Sequence, residues 1–405
     1  MDAAAKSGIF DGLKVIDCAS FIAAPAAATV LSDFGADVIK LEPPGEGDSY
    51  RNLYKLPGMP LTDTNYPWEL ASRNKRSLAL NLKSEHGLAV LHRLIVQADV
   101  FITNLPLPVR RRLKIGFEEL GPLNPRLIYG SFTAYGETGE EADKTGFDST
   151  AYWARSGLMD LVRADAGALP ARSVPGMGDH PSAIALYAAI VTALYRRGRT
   201  GQGGLVSSSL LANGVWANGF LVQATLSGLE TPPRPKREEG LNASAAMYRT
   251  ADDRWFSLAV LNEERQFAPL LAALGLSELA ADPRFTTTAE RRKNGPALIA
   301  LFDQAIALAP LAHWRAVLDA AKITFGIVSA LGEIPNDAQM KQCGAIVVFE
   351  NEMQYTVSSP FQIGGESKTV PRRAPTIGQH SDILLLEAGY AQSEIKRLRA
   401  LGVLA

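Results

Sequence analysis

Leu13-Lys14-Val15-Ile16-Asp17-Cys18, the turn Ala19-Ser20-Phe21-Ile22-Ala23-Ala24-Pro25, and Asp37-Val38-Ile39-Lys40-Leu41-Glu42 together decide the fold. The first run reads as a buried strand, Pro25 to Ser32 as a helix of small residues, and the last run as the next strand. Strand, helix and strand in that order make a βαβ unit with a right-handed crossover expected. A dinucleotide-binding reading fails on the turn, which has no glycine to let a pyrophosphate approach the backbone. The doubly wound α/β architecture survives; the NAD assignment does not.

Similar signals continue downstream. A helix is expected from Ser84 to Gln97, a strand at Val100-Phe101-Ile102-Thr103, a short helix near Phe117 to Leu120 and a strand at Arg126-Leu127-Ile128-Tyr129. Asp148 to Val162 reads as one helix, Val206-Ser207-Ser208-Ser209-Leu210 as a strand and Leu211 to Leu226 as a helix. Composition changes at Glu230-Thr231-Pro232-Pro233-Arg234-Pro235-Lys236-Arg237-Glu238-Glu239-Gly240, which reads as a linker. Beyond it, Ala246–Thr250 and Trp255–Val260 flank a short turn as a hairpin, followed by helices at Glu263–Leu274, Ala297–Leu308 and Leu311–Ala321. The expectation is a large α/β domain from residues 1–225 and 345–405, and a linker with a small α+β domain over 226–344. Two helices, opening at Ser381-Asp382 and Ser393-Glu394, close the chain, and the segment from Pro360 to Pro375 is expected to pack back on the large domain.

A chain of 405 residues exceeds one ordinary core, which fits two domains. Its 41 basic and 42 acidic residues leave a net charge of −1, which argues against a nucleic-acid surface. Cys18 and Cys343 give neither a disulfide framework nor metal-ligand spacing, and Cys18 reads as a buried structural thiol. Met1-Asp2-Ala3-Ala4-Ala5-Lys6 lacks the pattern of a signal peptide, and no apolar run reaches membrane-spanning length. A soluble, cytoplasmic protein is expected.

Val174-Pro175-Gly176-Met177-Gly178-Asp179-His180-Pro181 looks like a loop that delivers a carboxylate to a helix start. Its glycines permit a sharp turn, Pro181 fits a first helical turn, and Ile184, Tyr187, Val191 and Leu194 recur at helical spacing. Arg196, Arg197 and Arg199 suit the helix C-terminus, where Gly198 and Gly201 offer stops. An aspartate at that start is expected to be held anionic by unpaired N–H groups and the positive dipole end. That suits a nucleophile; the plainer alternative is a helix cap.

Lys75, Arg76 and the run Arg110-Arg111-Arg112 sit at strand and loop ends and are candidates to grip phosphates, against the simpler reading of a solvated face. The five histidines show no metal-ligand spacing, and no Gly-x-Ser-x-Gly elbow marks a hydrolase. His180, beside Asp179, is a candidate to sense charge or place the loop, or a solvated helix-start residue. Tyr135 is either a binding-site phenol or a packed aromatic.

In its ordered motifs the chain resembles the class III CoA-transferase family, the formyl-CoA and carnitine-CoA transferase group. The motifs are Gly12-Leu13-Lys14-Val15-Ile16-Asp17, Phe34-Gly35-Ala36-Asp37-Val38-Ile39-Lys40-Leu41-Glu42, Asn74-Lys75-Arg76-Ser77, Asn124-Pro125-Arg126-Leu127-Ile128-Tyr129, Gly178-Asp179, Thr200-Gly201-Gln202-Gly203 and Ala374-Pro375-Thr376-Ile377-Gly378-Gln379-His380. The turn at Phe21–Ala27 and the loop at Pro175–His180 are most similar to the 2-hydroxyacid, phenyllactate-type branch.

The resemblance implies a Rossmann-like large domain and a smaller α+β domain in an interlocked homodimer, with acyl-CoA and an organic acid as substrates. It implies Asp179 as nucleophile, passing through an aspartyl anhydride and an aspartyl-CoA thioester, with coenzyme A as a co-substrate and no metal or redox cofactor needed, because covalent catalysis divides one hard exchange into easier steps. Backbone N–H groups near the loop are expected to stabilise the oxyanions. Leu80, Asn81, Leu82, Lys83, Asn104, Leu105, Arg112, Thr133, Tyr135 and Lys144 match coenzyme A contacts, and succinyl-CoA is the donor suggested by analogy. Formyl-CoA transferases carry glutamine where this chain has Ile22, arginine where it has Pro43, and a glycine-rich loop near Glu239-Gly240-Leu241-Asn242-Ala243-Ser244. These departures point away from oxalate and formate, and Ile22 suits a bulkier acyl group. Two alternatives are a related α-methylacyl-CoA racemase, which places a histidine where this chain has Phe147, and a CoA-binding protein without chemistry.

Overall fold

The structure is a computed structural model that describes residues 8–405. The chain divides into two compact units. The larger runs through Met159, resumes over Arg172–Gly228 and closes with Ala338–Ala405; the smaller comprises Asp160–Ala171 and Leu229–Asp337.

The larger unit is built on six parallel strands: β1 (Lys14–Asp17), β2 (Asp37–Glu42), β3 (Arg76–Ala79), β4 (Val100–Thr103), β5 (Ile128–Thr133) and β6 (Gly204–Ser209). Their order is β3-β2-β1-β4-β5-β6, with Val15 opposite Val38 and Val100. Adjacent residues of a strand point to opposite faces, and each face has its own core. Val15, Val38, Val100, Ile102 and Ile128 enter one, whereas Ile16, Ile39, Phe101 and Tyr129 enter the other. The strands therefore read as unbroken apolar runs, as a sheet covered on both sides requires.

The first core also holds the helix Ala23–Asp33, which is buried along its whole length, and Ala183, Leu186 and Ile190 of the long helix Asp179–Thr200. Alanines at 23, 24, 26, 27 and 28 keep the first helix thin enough to lie between sheet and neighbour. The second core is closed by the helices Glu85–Ile95, Ser381–Glu387 and Gln392–Ala400, so the C-terminus packs back on this unit. The irregular Pro360–Pro375 segment does too: Phe361 stacks on Phe34 at 5.0 Å, and Asn74 accepts from the Arg372 N–H.

Two expected helices are broken. Asp148–Val162 is a π-helical turn over Asp148–Ala154 and a short helix at Leu158–Leu161, separated by Gly157 at φ +87°. Leu211–Leu226 is two helices, Leu210–Ala217 and Gly219–Leu226, and Asn218 between them donates to the Ser156 carbonyl at 3.1 Å. A hairpin of β10 (Ile346–Val348) and β11 (Tyr355–Val357), not anticipated, completes the unit.

In the smaller unit the expected hairpin of β7 (Met247–Arg249) and β8 (Trp255–Leu258) is joined by a third strand, β9 (Phe325–Ile327), all antiparallel. Helices Glu263–Ala273, Gly295–Ile306 and Leu311–Ala320 cover it, with Phe256, Phe302 and Leu318 fully buried. Asp160–Ala171 attaches through the Ala166 N–H, which donates to the Arg234 carbonyl at 2.9 Å. No single helix among the described residues is long and apolar enough to cross a membrane.

Candidate active site

In a sheet of this order the chain turns away in opposite directions after β1 and β4, and a crevice opens beyond their carboxyl ends. The cavity there, about 550 Å³, is lined by Ser20–Ala23 after β1, Asn104–Leu107 after β4, Phe132–Ala134 from the end of β5, and Gly146–Asp148. Pro175, Gly176 and Asp179 close it on the side of the long helix.

Asp179 is the first residue of that helix, and the capping position is Gly178, which has no side chain to cap with. The cap alternative is therefore removed: the half-buried carboxylate lines the cavity and accepts no hydrogen bond from any described residue. Its charge state departs from the sequence expectation. Burial, and then the nearby Asp148 charge, push its carboxyl up to about 7. The helix dipole acts the other way and here does not outweigh lost hydration and a second carboxylate.

Asp148 is buried and holds the loop. It accepts the N–H of Gly176 at 3.0 Å and, more weakly, that of Gly178 at 3.4 Å. Those two N–H groups are therefore engaged by Asp148. Gly176 sits at φ +83°, and at Gly178 a β-carbon would come within 2.6 Å of the Tyr152 ring. The His180 ring lies against Gly176; partial loss of water around it and the Arg73 charge push it below the ordinary histidine range.

A buried ionic chain supports the β1 side. Lys75 Nζ donates to Asp17 at 2.8 Å and to the carbonyls of Pro25 and Ala71 at 2.7 Å. Lys40 pairs with Asp48 at 2.8 Å and lies 3.8 Å from Asp17. Burial pushes Lys75 down to about 8, whereas for Lys40 the charges of Asp17 and Asp48 outweigh burial and hold it above its ordinary range. Asp48 accepts from Ser20 Oγ at 2.5 Å, and Asn104 accepts from the Ser20 N–H at 2.8 Å while donating to its carbonyl at 2.7 Å.

Several phosphate candidates are thus spent on structure. Lys75 is enclosed, Arg76 pairs with Asp37 and Glu387, buried Arg110 donates to Ser131 and to the Phe132 carbonyl, and Arg111 pairs with Asp143. Cys18 is buried, which pushes its thiol up to about 12.

Of the site residues read from the sequence, the structure brings Asn104, Leu105, Thr133, Lys144 and Asp179 to one cavity. Tyr135 stands behind that wall, with the Lys144 ammonium 5.2 Å above its ring. Leu80, Asn81, Leu82 and Lys83 follow β3 at the same edge of the sheet but do not line the cavity; Leu80 bridges Leu404, and the Asn81 N–H donates to the Val403 carbonyl. Arg112 is exposed and makes no ion pair among the described residues. Asp148, Ser20 and Asn104 as loop holders were not found from sequence, because their partners are distant along the chain.

Residues 10–381 match the family described as CoA-transferase family III. Among curated relatives, the (R)-2-hydroxy-4-methylpentanoate CoA-transferase of Clostridioides difficile is 30% identical over 395 residues, covering 96% of this chain and 98% of its own. The cinnamoyl-CoA:phenyllactate CoA-transferase of Clostridium sporogenes is 31% identical over 413 residues, covering 97% and 96%. Among solved structures, a CAIB/BAIF family protein from Brucella suis superimposes with a TM-score of 0.84 at 27% identity, covering 95% of this chain and 100% of its own.

Proposed function

The chain belongs to CoA-transferase family III, and from that premise we propose that Asp179 is the group through which it moves coenzyme A from an acyl-CoA to an acceptor acid. One observation carries the assignment: an uncapped carboxylate, free of hydrogen bonds from the described residues, lines the cavity at the topological switch of the sheet.

A carboxylate oxygen of Asp179 attacks the thioester carbonyl, and the C–S bond breaks to leave a mixed anhydride and the CoA thiolate. The thiolate attacks the aspartyl carbonyl and releases the donor acid, leaving an aspartyl-CoA thioester. The acceptor carboxylate then attacks this thioester, and the expelled thiolate takes the new acyl group and frees Asp179. No proton is gained or lost, and covalent catalysis divides one hard exchange into easier displacements. Poor hydration makes the anion a stronger nucleophile once formed, at the cost of needing a pH near or above 7 to form it.

We assign Asn104, Leu105, Thr133 and Lys144 to the pantetheine side of coenzyme A, and Leu80, Asn81, Leu82, Lys83, Arg112 and Tyr135 to its nucleotide end, away from the reacting atoms. We also propose a homodimer, supported by Trp216, Phe220 and Leu226, which lie 75–89% exposed on two consecutive helices. Free thiols at Cys18 and Cys343 support a reducing, cytoplasmic location. The racemase alternative is the weaker reading: Phe147, at the position of its histidine, has no proton to give.

Incubation with an acyl-CoA followed by peptide mass spectrometry should find coenzyme A attached at Asp179. Asp179→Ala should abolish both the adduct and exchange of labelled acid into thioester. Exchange that continues undiminished in this variant would remove Asp179 from the reaction.

A further inference from the structure

Two of the displacements above fall on the aspartyl carbonyl itself: the thiolate attacks it in the anhydride, and the acceptor carboxylate attacks it in the thioester. In each, negative charge gathers on the oxygen that stays bonded to the Asp179 carboxyl carbon, so a donor for it must reach Asp179 from the protein side. The N–H groups of Gly176 and Gly178 are engaged by Asp148. Ser182 is better placed. It lies three residues along the same helix, on the buried face that continues through Ala183 and Leu186, and has no exposed surface. Its Oγ bonds no described residue; even the Gly178 carbonyl, where a helical serine commonly back-bonds, takes only the Ser182 N–H, at 3.2 Å.

Tyr50 approaches from the β1 side. It sits in the short helical turn Ser49–Lys55, 3% exposed, packed with Ile22 and Trp68, its ring centroid 6.4 Å from that of Phe21. Phe21, Ile22 and Leu53 line the cavity in front of it, and Ile22 comes within 3.6 Å of where a Gly176 β-carbon would stand, which brings this cluster up to the Asp179 loop. Asp48 accepts the Tyr50 N–H at 3.0 Å and fixes the turn, while the hydroxyl bonds no described residue. Burial, and then the Asp179 charge, push the phenol above its ordinary range; Asp48, although it caps the Tyr50 backbone, comes after Asp179. The hydroxyl end therefore lies toward Asp179 and keeps its proton.

We propose that the Ser182 and Tyr50 hydroxyls are the oxyanion donors for the aspartyl carbonyl. The assignment rests on the reading of Asp179 as the nucleophile. A buried hydroxyl is ordinarily satisfied, and here two that are not flank a carboxylate that itself accepts no hydrogen bond from a described residue. Contacts made only once charge develops lower the barrier without stabilising the resting state, which is what raises kcat. Both donors are neutral and give up no proton, so each returns to its starting form when the carbonyl re-forms.

The test is exchange of labelled acid into acyl-CoA by the full-length protein, for wild type, Ser182→Ala and Tyr50→Phe. Each change removes one oxygen and keeps the carbon packing around it, and because neither hydroxyl has a described partner to lose, the denaturation midpoint is expected not to fall. In each variant kcat is expected to fall at least about fivefold, KM for acyl-CoA to change by less than about twofold, and the acid limb of the pH profile to keep its position. In a single turnover without acceptor, the coenzyme A adduct on Asp179 is expected to form more slowly by a similar factor. A kcat within about fivefold of wild type in either variant overturns the site, as does a lowered midpoint that accounts for the lost rate. An acid limb moved to higher pH with the plateau kcat unchanged makes the hydroxyls partners of the resting carboxylate, and overturns it too. Failure of the nucleophile looks different: wild type itself then carries no adduct at Asp179, and both readings fall.

Discussion

Asp148 accepts the backbone N–H of Gly176 at 3.0 Å, so the loop carrying Asp179 is tied to a carboxylate that also raises the Asp179 pKa. Positioning and charge tuning are therefore two effects of one side chain, and they separate by substitution. Asp148→Asn keeps an oxygen able to accept from Gly176 but removes the charge. Because the reacting form of Asp179 is the anion, kcat/KM of the wild type should rise with pH through about 7. In Asp148→Asn this limb should move to lower pH, since one of its two causes is gone and only burial is left. A limb that stays in place would assign the shift to burial alone.

The same shift predicts a stability effect with a definite sign. An aspartate raised from its ordinary 3.8 to about 7 binds a proton in the folded state that the unfolded state has lost at intermediate pH. Its favourable contribution is complete below about 4 and is lost as pH rises through 7. Asp179→Asn should therefore be more stable than wild type at pH 8, by an amount on the order of 2 kcal/mol after allowing for partial exposure, and the gap should narrow to under half of that at pH 5 and close only below about 4. Thermal unfolding of both proteins at the two pH values measures it; a gap that widens toward pH 5 would contradict the raised pKa.

Lys75 offers a choice between two roles that the sequence left open. With Nζ on Asp17 and two carbonyls and no exposure of its side chain, it should behave as a structural ion. Lys75→Met leaves Asp17 with the Ala19 N–H at 3.2 Å and, as its cation among the described residues, Lys40 at 3.8 Å, and removing one partner of a buried pair costs about 3–5 kcal/mol. The expected result is a lower denaturation midpoint with KM for acyl-CoA unchanged in the protein that remains folded. A raised KM at unchanged stability would return Lys75 to the phosphate-binding role.

These contrasts also mark how far the sequence could be read. The βαβ start was legible because Val15 and Ile16 serve opposite cores, which forces an unbroken apolar run that no loop would carry. The Asp179 loop was legible because its glycines and Pro181 have few other uses in such proximity. The fate of Lys75 was not, since Asp17 lies 58 residues away and only the folded sheet brings them together. The breaks at Gly157 and Asn218 escaped for a similar reason: helical spacing continues through them, and the Asn218–Ser156 bond that fixes the second is tertiary. The Asp179 charge state was misread because the dipole is visible in a sequence, whereas burial and a facing carboxylate are not.

Gly178 and Tyr152 provide the most direct test that loop placement, rather than the mere presence of Asp179, sets the rate. A β-carbon at Gly178 would lie 2.6 Å from the Tyr152 ring, and the Gly178 backbone is otherwise ordinary at φ −94°, so Gly178→Ala introduces a clash without backbone strain. Tyr152 is buried and cannot swing clear; the loop must move instead, and Asp179, the next residue, moves with it. A displacement near 1 Å at a reacting group costs up to about a hundredfold in rate. Steady-state kinetics should therefore show a kcat reduced by about ten- to a hundredfold with KM for acyl-CoA little changed, because Asn104, Leu105 and Thr133 belong to other elements. Adding Tyr152→Leu to Gly178→Ala should recover part of the lost kcat, as two contacting residues couple in a double-mutant cycle. Additive losses in the double variant would mean that the ring does not determine where the loop, and with it Asp179, sits.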